Sequence, residues 1–390
     1  MRVLIVTNDL PPRVGGIQHY VDQLARGLVD SGDQVVMFGS TPRPATVPDS
    51  AGSWEDHDRD APYRVVRQRT SVLLPTRRVL RHSVELVETT EADVVVFGAT
   101  VPLAFLGPAI RRRTGVPYVC WTHGLEVSAV RMPGSGPLLR RIGADAGAIT
   151  YVSHWCHDLL APAFGDDVVS ELLPPAVDPT EYHPAVDGST VRKRYGLEDR
   201  PVVVCVSRMV ERKGQDQLIR ALGELRRRVP GTTLLIVGGG PFREGLVRLA
   251  ESEGVSDAVV FAGMVDDDEL PAHYAAGDVF AMPCRERRGG FEVEAFGIVF
   301  IQAQAVGVPV VAGDIGGVAD AVGEGDDAGG VLVDGTDLAA VTDAVAELLS
   351  DRDGARRLGD QGARRVAERF TWQARTEQLR ELLGRVVAAG

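Results

Sequence analysis

The sequence predicts two successive α/β units, each a doubly wound, Rossmann-like parallel sheet. Three observations carry that expectation. Strand-like apolar runs alternate with segments of helical periodicity from the first residues onward. The alternation pauses in a proline-rich, aperiodic stretch at 172–184 and then restarts. The length, 390 residues, also exceeds what one ordinary core serves.

Residues 3–6 read as the first strand, 18–30 as a helix with Tyr20, Val21, Leu24, Leu28 and Val29 at helical spacing, and 34–38 as the second strand. Such a βαβ unit implies parallel strands. The loop between strand and helix, Asn8-Asp9-Leu10-Pro11-Pro12-Arg13-Val14-Gly15-Gly16, ends in two glycines. Gly15 and Gly16 let backbone approach a ligand closely, with helix-start amides behind them; a plain turn uses glycine as well. Residues 41–62, rich in Pro, Asp and Ser, read as an exposed loop. Val65 and Val66, then 93–97, 116–121 and 149–153, supply further strands, and a helix is expected near 155–160. His123, in Thr122-His123-Gly124-Leu125-Glu126, follows the strand ending at Trp121. It therefore stands at a carboxyl end, the edge where open α/β sheets carry ligands, although a lone histidine is often structural.

The second half repeats the pattern with strands at 202–206, 233–237, 259–261, 278–282 and 308–312 and a helix over 215–228. Gly238-Gly239-Gly240-Pro241 ends the second of these strands. A last helix, over 372–387, carries Leu379, Leu382, Leu383 and Val386 on one stripe. The stretch 283–302 puts Glu294 at a strand-to-helix turn, Gly297 at the helix start and Gln302 about two turns in. A helix start offers free N–H groups and the positive end of its dipole to an anion. That series of groups suits a sugar, a phosphate and a ribose; the same residues also make a helix capped by Glu294 with Gln302 solvated.

Apolar content of 44% and charged content of 25% are those of a soluble globular protein. A net charge of −12 argues against nonspecific nucleic-acid binding. Cys120, Cys156, Cys205 and Cys284 are scattered, so neither a zinc site nor a disulfide framework is expected, and a reducing cytoplasm is the natural setting. The short apolar N-terminus reads as a strand rather than a signal peptide, and no apolar run has the length of a membrane span, so membrane contact would be peripheral. Asp266-Asp267-Asp268 reads as the acidic start of a helix or as a metal-binding DxD; no metal is expected at the site.

Together, Gly15-Gly16, Thr122-His123-Gly124, Ser207-Arg208 with Arg212-Lys213-Gly214, Val237-Gly238-Gly239-Gly240-Pro241 and Glu294 with Gly297 resemble the retaining family 4 glycosyltransferases of GT-B architecture. The resemblance runs over essentially the whole chain. Asn8 to Gln18, Leu74-Pro75-Thr76 and Arg212-Lys213-Gly214-Gln215-Asp216 are similar to the PimB-type group, GDP-mannose-dependent phosphatidylinositol mannoside mannosyltransferases. It implies two Rossmann-like domains facing across a cleft that closes about 172–184. Residues 1–183 would bind the acceptor, with the C-terminal helix 372–390 crossing back to them, and 184–371 would bind the nucleotide sugar.

For single residues, the resemblance implies His123, Arg208, Lys213 and Glu294 as the catalytic set. Arg208 and Lys213 would clamp the diphosphate, where fixed positive charge offsets that of the leaving nucleotide. Lysine occurs only at Lys193 and Lys213, so a compact ammonium is singled out at the second. Gly15, Gly16 and the amides near Gly297, Ile298 and Val299 would meet the nucleotide phosphates. Glu294 would hold sugar hydroxyls, and His123 would face the transferred sugar. Met264, Val265 and Asp267 would receive the base; a carboxylate suits guanine, whose N1–H and amino group both donate, and so favours GDP. Gln302 stands where the family has a second glutamate for the ribose. Its neutral amide accepts through one oxygen, so that contact weakens by about 1–2 kcal/mol or is re-formed with amide donors.

The implied reaction moves a hexose, mannose from GDP-mannose, to an acceptor hydroxyl such as that of a phosphatidylinositol mannoside, with no tightly bound cofactor. Front-face attack, with a phosphate oxygen of the departing nucleotide taking the acceptor proton, leaves the protein to position and stabilise charge. Arg77, Arg78 and Arg81, with Arg111, Arg112 and Arg113, offer a peripheral contact to anionic lipid at the inner face of the plasma membrane, or are solvated helix faces. A UDP-sugar transferase acting on a soluble metabolite is the alternative within the class. A non-catalytic nucleotide-sugar-binding protein is the alternative outside it. A nicotinamide-dependent dehydrogenase is disfavoured, because neither Gly15-Gly16 nor Gly238-Gly239-Gly240-Pro241-Phe242-Arg243 completes GxGxxG.

Overall fold

The computed structural model describes residues 1–13, 15–42, 53–132 and 134–390. The chain divides into two compact units, Met1–Pro175 with Trp372–Gly390, and Ala176–Thr371. The division falls inside the proline-rich stretch, earlier than the expected 183/184.

The first unit holds seven strands: β1 (Arg2–Val6), β2 (Gln34–Ser40), β3 (Arg64–Gln68), β4 (Val94–Phe97), β5 (Tyr118–Trp121), β6 (Ala148–Tyr151) and β7 (Ser170–Leu172). Their order is β3-β2-β1-β4-β5-β6-β7, with all neighbours parallel. Strands such as Val-Val-Val-Phe of β4 are apolar and buried throughout, as a parallel strand covered on both faces must be. The order reverses between β1 and β4, so the loops after these strands stand at the switch point where such sheets bind ligands. The helix Trp372–Ala389 belongs to this unit and packs against the helix Gly16–Asp30 and against β4 and β5. Leu379, Leu382 and Leu383 are buried along it, and Arg380 pairs with Asp33 at 2.7 Å.

One expectation for this unit is corrected. Residues 41–62 are not all loop: Trp54–Asp60 is a helix, capped by the Ser53 hydroxyl accepting from the Asp56 N–H, with Glu55 and Asp56 in its first turn. Arg67 then fixes it by pairing with Asp58 and lying over the Trp54 ring. Residues 43–52, and Val14 of the glycine loop, lie outside the described residues.

The second unit has six strands: β8 (Val202–Val206), β9 (Thr233–Val237), β10 (Val259–Gly263), β11 (Val279–Met282), β12 (Val310–Gly313) and β13 (Gly330–Val333). They are ordered β10-β9-β8-β11-β12-β13, again all parallel. Its switch point lies between β8 and β11, beside the loops that begin at Ser207 and Pro283.

Candidate active site

In the second unit, three loops at the carboxyl edge are forced together by glycine. A Cβ on Gly238 would stand 2.3 Å from the Ser207 carbonyl oxygen, and one on Gly240 2.4 Å from that of Met209. The turn after β9 therefore lies directly on the loop after β8, stitched by Met209 N–H to the Gly239 carbonyl at 2.8 Å. Gly214, at φ 79°, starts the helix Gln215–Arg228 with only backbone facing Pro283, whose oxygen a Cβ would meet at 2.1 Å.

That packing delivers Lys213 to Glu294. The Lys213 ammonium donates to Glu294 Oε2 at 2.6 Å, and Arg212 donates to the same oxygen at 2.6 Å. Burial opposes the Glu294 charge, but the two cations outweigh it and hold the carboxyl below its usual range. Arg208, by contrast, is exposed, and its guanidinium has no hydrogen bond or ion pair among the described residues. A buried carboxylate between two cations, with an uncommitted arginine on the loop after β8 that also carries Lys213, is a place for a polyanion with hydroxyls.

Gly297, at φ 88°, precedes the helix Ile298–Ala305, and a Cβ there would strike the Phe300 ring at 2.5 Å. Ile298 and Val299 supply the first amides of that helix, whose N–H groups are unmet within a helix. Gln302 lies in the helix as expected, but it is buried rather than solvated. Its Oε1 accepts from the Tyr274 hydroxyl at 2.8 Å, and its Nε2 donates to the Tyr182 hydroxyl at 3.1 Å. Met264, two-thirds exposed, packs its side chain on Gly239, with Val265 and the exposed Asp267 following β10. Glu181 is pushed up by burial, then by Asp178 and Asp267, so acidic groups gather beside Asp267.

In the first unit, Gly15 and Gly16 open the helix Gly16–Asp30, and a Cβ on Gly16 would meet nothing within 4 Å. His123 is placed after β5, its Nε2 bonded to the Gly98 carbonyl at 2.8 Å and its ring edge-on to Tyr20 at 4.9 Å between centroids. Burial brings its pKa down to about 4, against the Gly98 bond, so the ring is neutral near pH 7. Since Nε2 faces a carbonyl it carries the proton, leaving Nδ1 as an acceptor. Gly15, Gly16 and His123 thus belong to one unit, and Arg208, Lys213, Glu294 and Gln302 to the other.

The sequence assigns no role to Arg212, Glu126, Tyr182 or Tyr274. Arg212 stands beside Lys213, the one signal it offers; the partners of Glu126 and of the tyrosines come from distant parts of the chain.

Two family models match the chain: Glycosyltransferase Family 4 over residues 14–181 and Glycosyl transferases group 1 over residues 188–365. The chain is 46% identical over 385 residues to the GDP-mannose-dependent alpha-(1-6)-phosphatidylinositol monomannoside mannosyltransferase of Mycolicibacterium smegmatis, covering 98% of both. It is 37% identical to the GDP-mannose-dependent monoacylated alpha-(1-6)-phosphatidylinositol monomannoside mannosyltransferase of Corynebacterium glutamicum, covering 98% of this chain and 97% of that one. Among solved structures, sucrose-phosphate synthase from Thermosynechococcus elongatus matches with a TM-score of 0.79 at 24% identity, covering all of both chains.

Proposed function

Since the chain belongs to the family 4 glycosyltransferases, as a hexosyltransferase of GT-B fold, we propose that it moves mannose from GDP-mannose to a hydroxyl of a phosphatidylinositol mannoside with retention. The observation that carries this reading is the near-full-length identity with an enzyme whose name specifies that donor and acceptor.

Lys213 and Arg208 take the donor diphosphate, with the amides of Ile298 and Val299 at the helix start behind Gly297. Lys213 leaves Glu294 for the phosphates, which frees the carboxylate for sugar hydroxyls while Arg212 still balances its charge. As the glycosidic bond breaks, these fixed cations meet the charge growing on the departing GDP, and its phosphate oxygen takes the acceptor proton. Asp267, in its acidic surroundings, accepts from guanine N1–H and its amino group. Gln302 reaches the ribose through whatever hydrogen-bonding capacity its two tyrosines leave. His123 accepts a hydroxyl of the transferred sugar at Nδ1, Gly16 leaves room for the ligand, and Gly15 beside it lets the backbone approach.

The lipid acceptor is met by the first unit as a peripheral contact. Arg78 and Arg81, exposed and without ion partners among the described residues, line an open cavity of about 450 Å³ with Arg67, Arg69 and Gln68. Arg111 is instead drawn to the Asp145 carbonyl at 2.6 Å, leaving Arg112 and Arg113 exposed. No helix among the described residues is long and apolar enough to cross a membrane.

The test is transfer of labelled mannose from GDP-mannose to phosphatidylinositol monomannoside, beside thermal unfolding with GDP, UDP, ADP and NAD at one concentration. Mannolipid formation with a shift by GDP is expected. A shift by UDP alone, with no mannolipid, overturns the donor and the acceptor together.

A further inference from the structure

Glu126 is completely buried, and both its oxygens are committed to the backbone of two different loops. Oε2 accepts from the N–H of His123, after β5, at 3.0 Å. Oε1 shares the N–H of Thr100, after β4, at 3.2 Å, with the Trp121 carbonyl taking the same N–H at 2.9 Å. The His123 ring closes the same circuit by donating from Nε2 to the Gly98 carbonyl, also after β4. No cation pairs with Glu126 among the described residues; its charge is met by backbone amides alone, and burial raises its pKa against them.

A buried carboxylate without a counter-ion is expensive, and an apolar side chain of similar size would avoid the cost. What the carboxylate adds is geometry. It is mounted at the start of the helix Glu126–Arg131; Thr100 is already bonded to the Trp121 carbonyl at the end of β5 through its N–H and hydroxyl, and the carboxylate extends that tie to the backbone of His123 itself. Tyr20, from the helix Gly16–Asp30, closes on the histidine ring as well.

We propose that Glu126 is a positioning residue: it ties the loop after β5 to the loop after β4 and so fixes the His123 ring with Nε2–H on Gly98 and Nδ1 directed to the sugar. The sugar's part in this rests on the transferase reading; the tie itself rests on the geometry alone.

The test uses the full chain carrying Glu126→Gln or Glu126→Asp. Glutamine keeps the volume but sets an amide NH₂ against one backbone N–H; aspartate keeps the charge but is a methylene short of spanning both loops. With ¹⁵N-labelled histidine, the wild type is expected to show His123 as a single Nε2–H tautomer, and both variants a mixture. Turnover should fall about 10²-fold, as for a sub-ångström to ångström misplacement. The thermal shift by GDP should be unchanged, because Arg208, Lys213, Ile298, Val299 and Asp267 lie in the other unit and neither Gly15 nor Gly16 is held by Glu126. Unchanged His123 signals in either folded variant overturn the proposal, as does a GDP shift lost in step with turnover. If the wild type transfers nothing, the transferase reading falls, and the histidine spectra still decide the tie.

Discussion

Glu294 Oε2 accepts from two cations at once, so the consequences of removing either can be separated. Lys213→Ala should lower transfer by at least about 10²–10³-fold, as for loss of one group that stabilises transition-state charge, and leave the fold intact. Arg212→Gln removes one charge-assisted bond and should cost about 1.5–3 kcal/mol in urea unfolding, with Lys213 still present. The pH dependence has a definite sign. Because the folded carboxyl titrates below its ordinary value of 4.5, its contribution is complete above that value and is lost as pH falls through the lower folded one. Urea unfolding of the wild type and of Glu294→Gln across that acid range should converge at the low end. The place of Glu294 and Gly297 between a strand and a helix was legible from the apolar pattern around them, whereas Lys213 was singled out through the family resemblance. Gln302 was placed correctly and its surroundings were not, since its partners Tyr274 and Tyr182 lie 28 and 120 residues away in the chain. Glu126 was illegible for a similar reason, as Thr100 comes from the loop after another strand.

The turns that carry these side chains depend on backbone without Cβ atoms. Gly214→Ala combines a positive φ with a Cβ placed 2.1 Å from the Pro283 oxygen, so the loop before it must move. A loss of roughly 1–3 kcal/mol is expected, together with a smaller thermal shift by GDP because Lys213 is the adjacent residue. Calorimetry with and without nucleotide reads both effects. Strands β8 and β9 were plain in the sequence because a helix-covered parallel strand is a pure apolar run. β7, Ser-Glu-Leu, and β13, Gly-Val-Leu-Val, stand at sheet edges, where half-exposed strands carry little pattern. Trp54–Asp60 buries no residue of its own, so no apolar period marked it as a helix.

The C-terminal helix makes the first unit discontinuous in the chain. Leu379→Ala and Leu383→Ala remove fully buried side chains and should each cost that unit about 2–5 kcal/mol. Because Ala176–Thr371 has its own contacts, unfolding should split into two transitions, the lower belonging to the weakened unit; calorimetry resolves them. The two-unit plan was legible from the restart of the strand–helix alternation. The seating of the last helix was less so, because it depends on a close fit: a Cβ on Gly27 would lie 2.1 Å from the Thr376 hydroxyl. This arrangement also orders events during synthesis. Residues 1–175 are made before the second unit yet cannot finish their core until 372–390 follow it. At about 5–20 residues per second, the whole of 176–371 must pass before the closing helix arrives, a delay on the order of ten seconds or more. The second unit, complete in one continuous stretch, is therefore finished before its elder neighbour, and a nascent chain cut short before 372–390 leaves unfinished the part that was made first.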